Sequence, residues 1–234
     1  MSFWRRPVVK RIAGGIFLLW LLVVSVYQSI SAIHMLVTGQ ARGGAVYGFF
    51  YSVLFGGAVL LLLKPITRLV ARLKLPSLAI FLIFGALFCN IEELFCFVTQ
   101  AGIWTEPKPF FPWYIVGTGA LVAWVFGVYL VVNYLKLGKL EVLIITGVAG
   151  WFQEVMIFSP GGLFAQPIMT AILPWTTWTY AILVLIPVSV VFLKDRPVAQ
   201  SGLGWRYALA FVIPLAVTTF GFVPLQILVS KVVQ

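Results

Sequence analysis

Charge is what this chain lacks. Only 9% of its 234 residues are charged, six are acidic, one is histidine and two are cysteine. With 62% hydrophobic residues and a mean hydropathy of +1.08, no water-soluble domain of this size could cover its surface, so the solvent must be lipid. The single His34 excludes a histidine cluster for zinc, haem or di-iron chemistry, and neither a metalloprotease pattern nor a Gly-rich phosphate loop is present. No metal and no cofactor is therefore expected. Cys89 and Cys96 sit about 10 Å apart along one helix, too far for a disulfide, and read as small apolar packing residues.

Alternation of apolar and polar residues is missing as well, which excludes a membrane β-barrel. What is present is a series of continuous apolar runs, and in lipid only a helix satisfies its own backbone along such a run. The fold class is all-α, a polytopic transmembrane helix bundle. At roughly 20 residues per crossing the chain supplies about seven spans. These are expected at Ile12–Leu36, Val46–Leu63, Ser77–Gln100, Trp113–Leu135, Leu140–Phe158, Trp175–Leu193 and Trp205–Val229, with glycine and proline marking the joins. Residues 1–234 form a single integral membrane domain. The first run lacks a small-x-small cleavage site before the next span, so it reads as a span and not a secretory leader.

Basic residues orient the set. Arg5, Arg6, Lys10, Arg11, Lys64, Arg68, Arg72, Lys74, Lys136, Lys139, Lys194, Arg196 and Arg206 fall on one side; Arg42, Lys108 and Lys231 fall on the other. The positive-inside rule puts the larger group, and the N-terminus, in the cytoplasm and the C-terminus outside. A multi-pass protein of a prokaryotic plasma membrane is implied. The net charge of +10 is met by anionic lipid headgroups and needs no nucleic-acid partner. On the far side Trp104, Phe110, Phe111, Trp113, Tyr114, Phe164, Trp175, Trp178 and Tyr180 crowd the outer ends of spans three to six. An interfacial aromatic belt explains them; an aromatic chamber under the segment from Ser159 to Pro174 is the sharper reading.

The acidic residues are the informative ones. Glu106, Glu141 and Asp195 lie at loops or span ends, whereas Glu92, Glu93 and Glu154 lie inside the third and fifth spans. An intramembrane carboxyl costs about 2.5 kcal/mol or more, so by default it marks a functional site facing the protein interior. Glu93 lies sixteen residues beyond Ser77 and Glu154 fourteen beyond Leu140, which gives both a depth of about 21 to 24 Å and lets them meet. Glu92 points about 100° away from Glu93, towards Phe88, Phe95 and Thr99. Glu154 shares a face with Gly147, Gly150 and Gly161, where another helix can approach closely. Asn90 to Phe97 aligns without gaps on Trp151 to Phe158, and this likeness suggests an internal repeat around residues 78–104 and 140–164.

Out of water such carboxyls favour their neutral form, and each is then a proton donor. Protonation of an alkene or epoxide in a lipid-soluble substrate suits them, with aromatic faces stabilising the resulting cation. The bland alternative is that they bond to Asn90, Gln153 or Gln28 and lock the helices. No lysine interrupts Tyr207 to Val229, so an opsin-like Schiff base is excluded. The arginine and histidines of intramembrane prenyl-protein proteases are missing too.

The run Ile91-Glu92-Glu93-Leu94-Phe95-Cys96-Phe97-Val98-Thr99-Gln100 resembles the small, helical, non-flavin lycopene cyclases, the heterodimeric and fungal-type family, whose helices carry Pro-x-Glu-Glu-x-x-Phe-Phe, often twice. Asn90 stands in place of the proline, Cys96 interrupts the aromatic pair, and the second copy keeps Gln153, Glu154 and Phe158. The resemblance implies cofactor-independent, acid-catalysed cyclisation or isomerisation of an isoprenoid or carotenoid. Glu92, Glu93 and Glu154 are the catalytic candidates; Asn90, Phe97, Gln153 and Phe158 are candidates for binding substrate. Two other classes fit the same residues: a proton- or ion-coupled transporter, for which Pro187, Pro214 and Pro224 would break helices, and a non-catalytic membrane subunit. The partners implied are membrane lipid or a lipid-soluble substrate, with homo- or hetero-oligomers open.

Overall fold

The computed structural model describes residues 7–40, 42–101, 109–154, 173–195 and 204–233, and every regular element among them is helical. The order is α1 (Pro7–Val37), α2 (Gly44–Leu61), α3 (Leu63–Arg72), α4 (Ser77–Thr99), α5 (Phe110–Leu135), α6 (Lys139–Gln153), α7 (Leu173–Asp195) and α8 (Gly204–Val233). Six of them, α1, α2, α4, α5, α7 and α8, are long and apolar enough to cross a membrane. The chain is a helical membrane bundle. The fifth expected span is described only as the 15-residue α6, because Val155 to Phe158 lie outside the described residues. Outside them too lie Trp104, Glu106, Gly161 and Phe164.

Lipid explains the helices, and local chemistry explains their ends. α4 stops where Gln100 takes a left-handed φ of 52° and the Ala101 N–H turns back to the Cys96 carbonyl at 2.9 Å. A side chain in that conformation costs about 1 kcal/mol that glycine avoids. Gln100→Gly should therefore raise the thermal midpoint in detergent by an amount equivalent to about 1 kcal/mol. An unchanged or lower midpoint would show that the exposed Gln100 side chain makes a compensating bond.

Close approaches fix the directions of the helices. Gly85 of α4 meets Val125 of α5 while Glu93 meets Gly117, so these two helices are antiparallel; Gly127 meets Pro214 and Gly119 meets Leu225, so α5 and α8 are antiparallel as well. Lys194 Nζ donates to the Leu75 carbonyl at 2.8 Å, and Tyr207 Oη donates to Glu141 Oε1 at 3.1 Å. Lys74, Lys136, Lys139, Lys194 and Arg206 consequently share one end of the bundle. At the other end the Gly43 N–H donates to the Thr99 carbonyl at 2.6 Å.

α7 is the central helix. Of its spanning window 78% is buried, against 11% for α1 and 18% for α8, whose apolar side chains face outward. Two rows of small residues let neighbours close on it. Gly48 and Gly56 of α2 face Trp175 and Ile182 with Ser52 bonded to Thr179 at 2.8 Å between them, and Gly147 and Gly150 of α6 face Thr177 and Tyr180. The approach expected at Gly147 and Gly150 is thus made by α7.

Two elements depart from the sequence reading. α3 occupies the join between the second and third expected spans; Leu63, Ile66, Thr67 and Val70 recur at helical spacing and face the core, while Lys64, Arg68 and Arg72 are exposed. The prolines do not break their helices. α7 continues through Pro187 and α8 through Pro214 and Pro224, with Thr218 Oγ1 bonded to the Pro214 carbonyl at 2.7 Å.

Candidate functional site

The three intramembrane glutamates lie in the interior of the bundle. Glu92 and Glu93 are buried and Glu154 is partly buried; the Cys96 thiol lies within electrostatic reach of all three. Glu92 Oε1 accepts a hydrogen bond from Tyr47 Oη at 2.6 Å and one from the Cys96 thiol at 3.2 Å. Glu154 Oε1 accepts from Tyr180 Oη, also at 2.6 Å. Glu92 lies within electrostatic reach of Glu154. Glu93 is turned onto α5, its carboxyl filling the space a Cβ on Gly117 would need. Glu93 thus lies against α5, while the hydroxyl that bonds Glu154 comes from α7.

The π-helical part of α2, Gly48–Phe55, builds one wall. Residues four apart share a face, and Tyr47 stacks on Tyr51 at 5.6 Å between ring centroids, Tyr51 on Phe55 at 5.4 Å. Phe95 of α4 closes the row at 5.7 Å from Tyr51 and 6.2 Å from Phe55. A continuous aromatic surface therefore flanks Glu92. On the α5 side Trp124 meets the Tyr180 ring edge-on at 5.0 Å. π-helical turns are concentrated at functional sites, where the altered turn re-aims side chains.

The remaining expected site residues divide. Asn90 is spent on structure: its amide N–H donates to the Ala86 carbonyl at 2.7 Å and its Oδ1 accepts from Tyr114 Oη at 2.8 Å, which ties α4 to α5. Phe97 is exposed at the outer end of α4 and packs edge-on against Phe110 at 4.5 Å. Gln153 is 1% exposed and neither end of its amide has a hydrogen-bond partner among the described residues. Phe158 lies outside the described residues. Neither Asn90 nor Gln153 holds a glutamate, so the locking contacts expected of them are made by tyrosines instead. Cys96 is more than packing, since its thiol bonds Glu92.

Nothing in the sequence marks Tyr47, Tyr51 or Trp124 for the site, and Tyr180 reads there as part of the interfacial belt. Trp175 and Tyr180 are buried core residues, unlike the exposed Phe111. Tyr180→Phe removes one hydrogen bond and leaves Glu154 short of a donor. It should lower stability in detergent by about 1 kcal/mol. A midpoint equal to that of the parent would show that the hydroxyl contributes nothing to folding.

Comparison with protein-family models, with curated proteins and with solved structures finds no match to this chain.

Proposed function

We propose that this chain is a membrane enzyme that uses its interior carboxyls to cyclise or isomerise an isoprenoid-like, lipid-soluble substrate by acid catalysis. One observation carries the reading: Glu92 and Glu154 are each held by a tyrosine hydroxyl, within electrostatic reach of one another, and Glu92 lies beside the aromatic row of Tyr47, Tyr51, Phe55 and Phe95. One carboxylic acid adds a proton to an alkene or epoxide, the aromatic faces stabilise the cation, and a carboxylate takes a proton from a neighbouring carbon. Protons in and out balance, so the step needs no redox partner and restores the catalyst. The Glu-Glu segment's resemblance to the helical lycopene cyclases points the same way. An apolar groove of about 490 Å³ between α1, α2, α6 and α7 suits a branched hydrocarbon chain, although its lining, which includes Ser52, Thr177 and Ala181, holds none of the three glutamates. In this reading the basic end faces the cytoplasm of a prokaryotic plasma membrane.

The test is lipid analysis after expression in hosts that make carotenoids or polyprenoids, with the purified protein then assayed in deuterated water. The expected product has the substrate's composition with one deuterium in place of a hydrogen. Unchanged lipids across the panel would overturn the reading.

A carrier of protons or small cations is the second reading, favoured by the π-helical turn beside the carboxyls. Uptake into liposomes driven by a proton or sodium gradient, abolished by Glu92→Gln, would establish it in place of the enzyme.

A further inference from the structure

Three buried polar groups around the carboxyls have no partner among the described residues: Tyr51 Oη, the Trp124 indole N–H and the Gln153 amide. Tyr51 and Trp124 are fully buried and Gln153 is 1% exposed. Tyr51 and Trp124 are tied to the site by ring contacts, and Gln153 by its place in the chain. Tyr51 lies nearly parallel to Tyr47, at an interplanar angle of 11°, within electrostatic reach of Glu92. Trp124 packs on the Tyr180 ring that serves Glu154, and Gln153 precedes Glu154 on α6. Elsewhere Thr146 and Thr99 turn their hydroxyls back to their own helix, onto Val142 and Phe95, whereas Thr67, Thr118 and Thr177 are orphaned singly on different helices. Orphaned groups in a membrane interior carry a desolvation cost, and for the three beside the carboxyls it is compensated when a ligand supplies the missing bonds.

A pure hydrocarbon supplies none. We propose that the lipid bound here carries a hydroxyl, carbonyl or epoxide oxygen, which is received by Tyr51 Oη, the Trp124 N–H and the Gln153 amide while its hydrocarbon part lies along the aromatic row. The inference rests on reading the carboxyl cluster as the site of a lipid-soluble molecule, and it narrows the substrate to oxygen-bearing lipids.

Phytanol and phytane share one branched, saturated skeleton and differ by a single hydroxyl; having no double bond, neither can be converted. Titrated into the protein in lipid nanodiscs, phytanol should raise the thermal midpoint saturably, and phytane at the same mole fraction should not. Tyr51→Phe and Gln153→Leu should each weaken the phytanol effect on the order of tenfold, the loss of one hydrogen bond of about 1.4 kcal/mol, without lowering the midpoint of the lipid-free protein. Equal stabilisation by phytane, or a phytanol effect indifferent to both substitutions, would overturn the proposal and leave internal water as the partner of these groups. If phytanol binds as described but no oxygenated alkene is converted, the catalytic reading falls and this one stands. If alkenes are converted but phytanol has no advantage over phytane, the reverse holds.

Discussion

Glu92→Gln is expected to cut lipid conversion by a factor of about 10² or more while moving the thermal midpoint in detergent by only a few degrees. The two effects separate because of what the side chain does. The glutamine amide oxygen still accepts from Tyr47 Oη and the Cys96 thiol, so the α2–α4 contact survives. What disappears is the ability to give or take a proton. Glu154→Gln should behave alike, because Tyr180 Oη can donate to the amide oxygen as it does to the carboxylate. Glu92→Leu is the contrasting variant: it leaves the Tyr47 hydroxyl without an acceptor and should cost about 1 to 3 kcal/mol. Product analysis beside thermal unfolding distinguishes the cases. Full activity in both glutamine variants would make the carboxyls structural.

The helices were legible because lipid leaves a chain few alternatives. Expected ends such as Ser77–Gln100 and Trp113–Leu135 fall within three residues of α4, Ser77–Thr99, and α5, Phe110–Leu135. Carboxyl burial followed from the same argument: Glu92 and Glu93 inside an apolar run had to face protein. Partner identity did not follow. Tyr47 lies forty-five residues from Glu92 and Tyr180 twenty-six from Glu154, and only the packing of α2 and α7 brings them there. An aromatic near a span end has a ready explanation in the interfacial belt, so Tyr180 carried no signal of its own. The close approach of α2 was legible in principle, because Gly48, Ser52 and Gly56 repeat at intervals of four. Likewise the basic stretch after α2 carries Leu63, Ile66 and Val70 at helical spacing between its charges.

That row of small residues yields the largest structural effect, with a control on the same helix. Gly48→Leu and Gly56→Leu should each prevent a stable folded protein from being recovered, and the alanine variants should each cost about 1 to 3 kcal/mol. A Cβ on Gly48 would lie 2.7 Å from a Trp175 ring carbon, and one on Gly56 would be pressed between Ile182 and Trp178. Trp175 and Ile182 are buried on the central helix, so α2 must move rather than they. Moving α2 also withdraws Tyr47 from Glu92, and conversion should fall in the alanine variants even where they fold. Gly57 is the control. A Cβ there meets nothing within 4 Å, so Gly57→Ala adds helix propensity without a clash and should leave stability unchanged or raise it by roughly 0.5 to 1 kcal/mol. Thermal midpoints and size-exclusion profiles in one detergent compare all five variants. Were Gly57→Ala as damaging as Gly48→Ala, backbone freedom of the π-helical turn and its flanks would matter more than the fit of α2 against α7. With the order found as stated, the fit of two helices sets the distance between a tyrosine and a glutamate, and through it the chemistry of the site.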